Sequence, residues 1–207
     1  MFTGIVATTA KVIEITKKEN FQTHVIEILA PYHQGLEIGA SVAHNGCCLT
    51  VTKIDGHLIS FDLIEETLRL TNLGLLEVGQ FINIERAARF GDEIGGHSMS
   101  GHIVDVMTVR EINKTTENCQ IWFDVAPQWT KYILHKGYIG VDGISLTIGD
   151  VDEKGFNVNL IPETLERTNL SGRDIGDKIN LEIDPQTQAI VDTVERVLAN
   201  QNKEQIE

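Results

Sequence analysis

Asn45-Gly46-Cys47-Cys48-Leu49-Thr50-Val51 returns 97 positions later as Asp142-Gly143-Ile144-Ser145-Leu146-Thr147-Ile148, with glycine, leucine and threonine unchanged. The same offset lays Asp62–Leu73 on Asn159–Leu170 with eight of twelve positions identical. About one identity would be expected from ordinary composition. Gly4 also falls on Gly101, Gly79 on Gly176, Asn83 on Asn180 and Glu85 on Glu182. The chain is a tandem duplication. A repeat of roughly ninety residues is too long for a solenoid and long enough for a small domain with its own core. The division this gives is 1–97, 98–184, and a terminal piece 185–207 without a counterpart in the first half.

Around the repeated loops the pattern is that of strands. Ile82 and Ile84 alternate with polar neighbours, as do Ile179, Leu181 and Ile183; Ile59, Phe61 and Leu63 are matched by Phe156, Val158 and Leu160; Ile26 and Ile28 form another pair. Such two-residue periods separated by Asp55-Gly56 and Lys154-Gly155 predict a small antiparallel barrel in each half. Closing the sheet removes the free edges that a short β-domain would otherwise carry. Pro127 to Lys136, followed by Gly137, has the punctuation of a short helix, and the Glu-Thr-Leu segments read as single helical turns. Residues 86–101 connect the copies. Beyond Asp184, a helix is expected from Pro185 to Asn200, with Ile190, Val191, Val194, Val197 and Leu198 in one stripe. That stripe could pack on its own barrel or on copies of itself. The tail Gln201–Glu207 is polar and expected to fray.

Net charge is −13, which repels nucleic acid and anionic membrane surfaces. Three cysteines, two of them adjacent at 47 and 48, suit neither a disulfide framework nor a zinc knuckle and indicate a reducing compartment. Without a signal-peptide pattern or a long apolar run, the expectation is a soluble cytoplasmic protein.

The chemistry has few places to sit. His97 and His102 are five apart, off one helical face, with no carboxylate set beside them, so no metal site is expected. Gly95-Gly96 lacks the rest of a phosphate loop. What remains is a pair of equivalent loops with unequal side chains: Cys48 for Ser145, Ile5 for His102, Asn45 for Asp142. A lone cysteine or serine is first of all a small buried group. Here one nucleophile replaces another within the best-preserved loop, and a histidine replaces an aliphatic residue beside it.

Met1-Phe2-Thr3-Gly4-Ile5-Val6, the two Leu-Thr loops, Gly95-Gly96-His97-Ser98-Met99-Ser100-Gly101-His102 and Leu160-Ile161-Pro162-Glu163-Thr164-Leu165-Glu166-Arg167-Thr168 together resemble the riboflavin synthases of the alpha-chain type, over essentially the whole chain. The resemblance implies an all-β fold of two tandem six-stranded antiparallel Greek-key barrels plus a C-terminal α-helix. It implies a dismutation without cofactor, in which one dimethylribityllumazine gives a four-carbon fragment to another. It also implies a homotrimer through the C-terminal helices, with sites between the first barrel of one subunit and the second barrel of the next, and lumazine synthase as a further partner. Carried over, one lumazine would be held by Gly4, Ile5 and Val6, by Cys48, Leu49 and Thr50, and by Asp62, Leu63, Ile64, Glu65, Glu66 and Thr67. The other would be held by Gly101, His102, Ile103 and Lys136, by Ser145, Leu146 and Thr147, and by Asn159, Leu160, Ile161, Pro162, Glu163 and Thr164. Cys48, His102, Ser145, Thr147 and Asp184 are the catalytic candidates, Asp184 being equally well a helix cap. A noncatalytic lumazine- or flavin-binding protein of the same duplicated fold is the competing reading. Such relatives lose motif residues in one copy, and here both copies are intact. A purely structural barrel protein would leave the polar loops unexplained.

Overall fold

The computed structural model describes residues 1–204. Strands β1 (Thr8–Lys18), β2 (Phe21–Glu27), β3 (Ser41–His44), β4 (Cys47–Asp55), β5 (Leu58–Ile64) and β6 (Phe81–Arg86) form a closed antiparallel barrel in the order β1-β2-β5-β4-β3-β6. Period-two burial fills it: Val12, Ile26, Val42, Ile59, Phe61, Leu63 and Ile82 all point inward with no exposed surface. The second copy repeats the arrangement with β7 (Asp105–Lys114), β8 (Cys119–Asp124), β9 (Tyr138–Val141), β10 (Ile144–Thr147), β11 (Gly155–Leu160) and β12 (Lys178–Ile183).

The copies differ at one seam. In the first barrel β4 and β5 pair through a bulge between Val51 and Lys53. In the second, β10 stops at Thr147 and the seam to β11 is made by separate bonds, Gly149 N–H to the Asn157 carbonyl (2.8 Å) and Asn157 N–H to the Asp150 carbonyl (2.9 Å). The cause lies in two substitutions, Gly149 for Thr52 and Asn157 for Ser60. The buried Asn157 carboxamide occupies the place of a side chain at 149, 2.1 Å from where a Cβ would stand.

The Glu-Thr-Leu segments are the short helices α1 (Glu65–Leu70) and α2 (Pro162–Arg167), each followed by a 3₁₀ turn, Asn72–Leu75 and Asn169–Gly172. The segment from Pro127 is a 3₁₀ turn ending at Tyr132, shorter than the expected helix, because Ile133 is extended and Lys136 has φ of 65°. Helix α3 runs Pro185–Glu204, beyond the expected end; of the tail expected to fray, 201–204 are helical and 205–207 lie outside the described residues. None of the described helices is long and apolar enough to cross a membrane.

The barrels meet around a near-symmetric polar seam. Asn83 Nδ2 donates to the Asp142 carbonyl and Asn180 Nδ2 to the Asn45 carbonyl, both at 2.9 Å. The Asn72 N–H donates to Asn180 Oδ1 and the Asn169 N–H to Asn83 Oδ1. Where the first copy has Asn45 and Leu76, the second has Asp142 and Arg173, joined at 2.7 Å. This ion pair accounts for the Asn45-to-Asp142 difference as structure rather than chemistry.

Candidate functional site

The Asn45-Gly46 and Asp142-Gly143 turns are two-residue hairpin connections with both residues at positive φ. They face each other so closely that a Cβ on Gly143 would stand 2.5 Å from the Gly46 nitrogen. Glycine at this position of both copies is therefore a requirement of barrel-to-barrel contact. The turns bring Cys48 and Ser145, each two residues past the turn glycine, to the two sides of the junction.

Each of these residues meets a segment that leaves its own barrel. Glu85, at the end of β6, accepts hydrogen bonds from the Thr3 N–H (2.6 Å) and Gly4 N–H (3.0 Å). Glu182, at the end of β12, accepts from the Ser100 N–H (2.6 Å) and Gly101 N–H (3.2 Å). Burial pushes both carboxyls above their ordinary range, against the pull of those N–H groups. Held this way, Gly4 accepts the Ser145 N–H at 2.8 Å and Gly101 accepts the Cys48 N–H at 2.9 Å. The approach is too close for a side chain: a Cβ on Gly4 would lie 2.5 Å from Ser145 Cβ, and one on Gly101 2.6 Å from Cys48 Cβ.

Two clefts result. The first, about 200 Å³, is lined by Cys47, Cys48, Glu66, Thr67, Leu70 and Thr71 of the first copy and by Gly101, His102 and Ile103. The second, about 310 Å³, is lined by Gly4, Ile5 and Val6 and by Ile144, Ser145, Leu146, Glu163, Thr164, Arg167 and Thr168. The clefts do not follow the grouping expected from sequence. Gly4–Val6 belongs with Ser145 and Thr164, and Gly101–Ile103 with Cys48 and Thr67, because each glycine segment crosses to the other barrel. A larger groove of about 610 Å³ also lies between the barrels, but it is lined by neither repeated loop and its arginine, Arg173, is tied to Asp142. The repeated loops line only the smaller clefts among these three.

The crossing also sorts the reactive groups. Cys48 shares its cleft with the exposed His102, whose N–H is held by Ser100 Oγ at 3.1 Å. Ser145 faces Ile5 instead, and its Oγ is 2.7 Å from Nδ1 of His97. His97 is buried, and its ring is stacked on Tyr138 at 5.0 Å. Burial lowers its basicity, with the charge of Asp184 opposing. Asp184 itself caps α3, accepting from the Thr187 N–H (2.9 Å) and hydroxyl (2.7 Å).

Several candidates lie outside both clefts. Leu49, Leu63 and Leu160 are core residues of their barrels. Asp62 accepts the Thr23 hydroxyl and Asn159 the Asn118 amide. Thr50, Thr147, Glu65, Pro162 and Lys136 are exposed, and Ile64 and Ile161 are both 61% exposed at the entries of α1 and α2. Residues not assigned to the site from sequence include Phe2, Glu85, His97, Arg167 and Glu182. The repeat pairs Glu85 with Glu182, and that pairing was the available signal for both; Arg167 replaces Leu70 and carried none.

The Lumazine binding domain model matches residues 3–87 and again 100–184. The chain is 62% identical to riboflavin synthase of Escherichia coli (strain K12) over 200 residues, covering 96% of this chain and 94% of that one. The chain belongs to the riboflavin synthase family. Riboflavin synthase of Buchnera aphidicola subsp. Schizaphis graminum is 46% identical over 199 residues, covering 96% of each chain. Among solved structures, LumP complexed with riboflavin superimposes with a TM-score of 0.84 at 28% identity, covering 89% of this chain and 100% of LumP. LumP complexed with 6,7-dimethyl-8-(1'-D-ribityl) lumazine gives 0.82 at 27% identity, covering 89% and 99%. The two matched segments of the family model correspond to the two barrels, each beginning at a crossing segment.

Proposed function

We propose that the protein is a riboflavin synthase, a transferase that converts two 6,7-dimethyl-8-ribityllumazine molecules into riboflavin and 5-amino-6-(ribitylamino)uracil. This is the last step of riboflavin biosynthesis, carried out in the cytoplasm without a cofactor. The observation that carries the reading is the pair of clefts with equivalent walls and unequal reactive groups, which suits two identical substrates in opposite roles. A nucleophile adds to the acceptor ring, and the donor loses a proton from its ring methyl to give a carbanion spread over the ring. We assign this to Cys48 and His102 in one cleft and, in the other, to Ser145, whose hydroxyl is 2.7 Å from Nδ1 of His97. Positioned acid–base groups typically contribute about 10²–10⁴-fold, and holding two rings in contact supplies much of the remainder.

The decisive assay is formation of riboflavin from the lumazine by the pure protein, one per two substrates consumed, with nothing added. Binding alone does not distinguish a synthase from a noncatalytic relative, since LumP has this fold and is found with riboflavin bound. Intact lumazine after prolonged incubation would favour the binding-protein reading.

Productive sites need the first cleft of one subunit against the second cleft of another, and α3 supports such assembly. Its stripe divides: Val191 packs on the second barrel, whereas Ile190, Val194, Val197 and Leu198 are 65, 52, 48 and 54% exposed. Burying each is worth about 1.5–3 kcal/mol, enough for three copies to hold a homotrimer. Lys131 and Tyr132 bond Glu195 and Asp192 on another face of the helix and fix how the stripe is presented. Deleting residues from Gln186 onward is expected to give monomers by light scattering with turnover reduced at least tenfold. A truncated protein that stays trimeric and active would remove α3 from the assembly. Lumazine synthase, which would supply the substrate, is the further partner we infer.

The crossed walls bear on the isolated first half. A segment 1–97 lacks Gly101–Ile103 and so lacks one wall of its cleft. Its own Gly4–Val6 is the equivalent segment, so a second copy can supply the wall. We expect this fragment to bind riboflavin as a dimer, measured by fluorescence titration beside sedimentation. Saturable binding by a monomer would show the wall to be dispensable.

A further inference from the structure

Two histidines stand inside the first barrel where the second barrel has aliphatic residues. His24 on β2 corresponds to Ile121, and His44 on β3 to Val141. Both imidazoles have no exposed surface. His24 Nε2 is 2.9 Å from Gln22 Oε1, but its Nδ1 and both ring nitrogens of His44 have no hydrogen-bond partner among the described residues. The His44 ring stands edge-on to Phe61 at 4.1 Å. Its other neighbours across the sheet are Cys47 on β4 and Ile84 on β6, and those of His24 are Ile15 on β1 and Phe61 on β5. The charges acting on the pair are Lys17, on His24, and His24 itself, on His44, so none of these neighbours compensates an imidazolium. Cys47, opposite His44, also lines the first cleft.

We propose that the His24–His44 pair makes the first barrel the acid-sensitive half of the molecule, which loosens and gives up its cleft while the second barrel holds. Both rings are neutral in the fold, and charging either one there means either an unpaired buried cation or an opened barrel. Burial lowers His24 to about 4 and His44 to about 3. In the unfolded chain both titrate at about 6.5. Below that value the unfolded barrel binds protons that the folded one refuses, so stability falls as pH falls from there toward 4. Each histidine shifts the opening constant about 10-fold per pH unit across this window, and the two together about 100-fold. The buried carboxyls of Glu85 and Glu182 act in the opposite sense, being raised in the fold, but they occur once in each barrel; at the junction Asp142, raised by burial, acts in that same sense and His97, lowered by burial beside Ser145, acts against it.

The test is hydrogen exchange of backbone amides at pH 7.5 and 5, corrected for intrinsic rates, on the full chain. In the parent, protection of β2, β3 and β5 is expected to drop at least tenfold more than that of β8, β9 and β11. In His24→Ile with His44→Val, which installs the residues of the second barrel, the two halves should respond alike. His44→Val alone should remove about half of the difference on a logarithmic scale, and it serves if the double variant fails to fold. Equal loss in both barrels of the parent would overturn the proposal. So would a selective loss that persists in the variants.

Discussion

Phe2→Ala is expected to abolish measurable turnover. The ring is 1% exposed and packs with Ala43 and Met99 in a small apolar cluster at the barrel junction, with Cys48 and Ala87 beside it. Its backbone exchanges two hydrogen bonds with Met99, at 2.8 and 3.0 Å, which ties the two crossing segments together. Cε2 of the ring is 2.8 Å from where a Cβ on Gly101 would stand, so Phe2 is packed directly against the segment that carries His102. Truncation to alanine leaves a cavity costing about 3–5 kcal/mol. That cost falls on the contacts that seat Gly4–Val6 in the second cleft and Gly101–Ile103 in the first. Both clefts lose a wall through one residue. Riboflavin formation should fall at least 100-fold in a protein whose circular dichroism still reports folded barrels, with Phe2→Leu intermediate. A Phe2→Ala protein turning over at the parent rate would show that the crossing segments seat without it.

His102→Gln is expected to lower turnover by about 100-fold, the lower end for a positioned acid–base group, while lumazine binding changes only a few-fold. Glutamine keeps a polar group of similar reach and cannot take up or pass on a proton. The crossing adds a pairwise expectation. Cys48 lies in the same cleft as His102, so Cys48→Ser should cost less in the His102→Gln background than alone. Ser145 lies in the other cleft beside His97, and Ser145→Ala should cost the same in both backgrounds. Steady-state rates beside equilibrium binding for the single and double variants measure this. Unchanged rates in every variant would mean that these side chains are packing and that catalysis is mainly the holding of two rings together.

Much of this molecule is local enough to be read along the chain. The 97-residue offset, the two-residue strand period and the Gly-containing turns each depend on neighbours in sequence, so the duplication and the barrels follow from them. The helix after Asp184 follows in the same way from a cap, a proline and a stripe. The residues lining the clefts were mostly legible too, because the repeat preserves them. What sequence does not contain is which barrel a segment touches. Gly4 and Gly101 are bound by the last strand of their own barrel and pressed on the hairpin of the other, through contacts spanning 53 positions or more. Assigning each segment to its own half is the natural reading of a repeat, and it groups His102 with Ser145, whereas the cleft it lines holds Cys48. His97 has no partner within reach along the chain, and its bond to Ser145 crosses 48 positions. The buried histidines are a third instance: His24 and His44 read as ordinary strand residues until the closed sheet turns both inward, leaving His24 Nδ1 and both His44 ring nitrogens without a partner among the described residues. Chain-local patterns determine which elements form, because backbone geometry and side-chain period act over a few residues. Which groups share a cleft is decided only when the two barrels dock, because that depends on the packing of surfaces far apart in sequence.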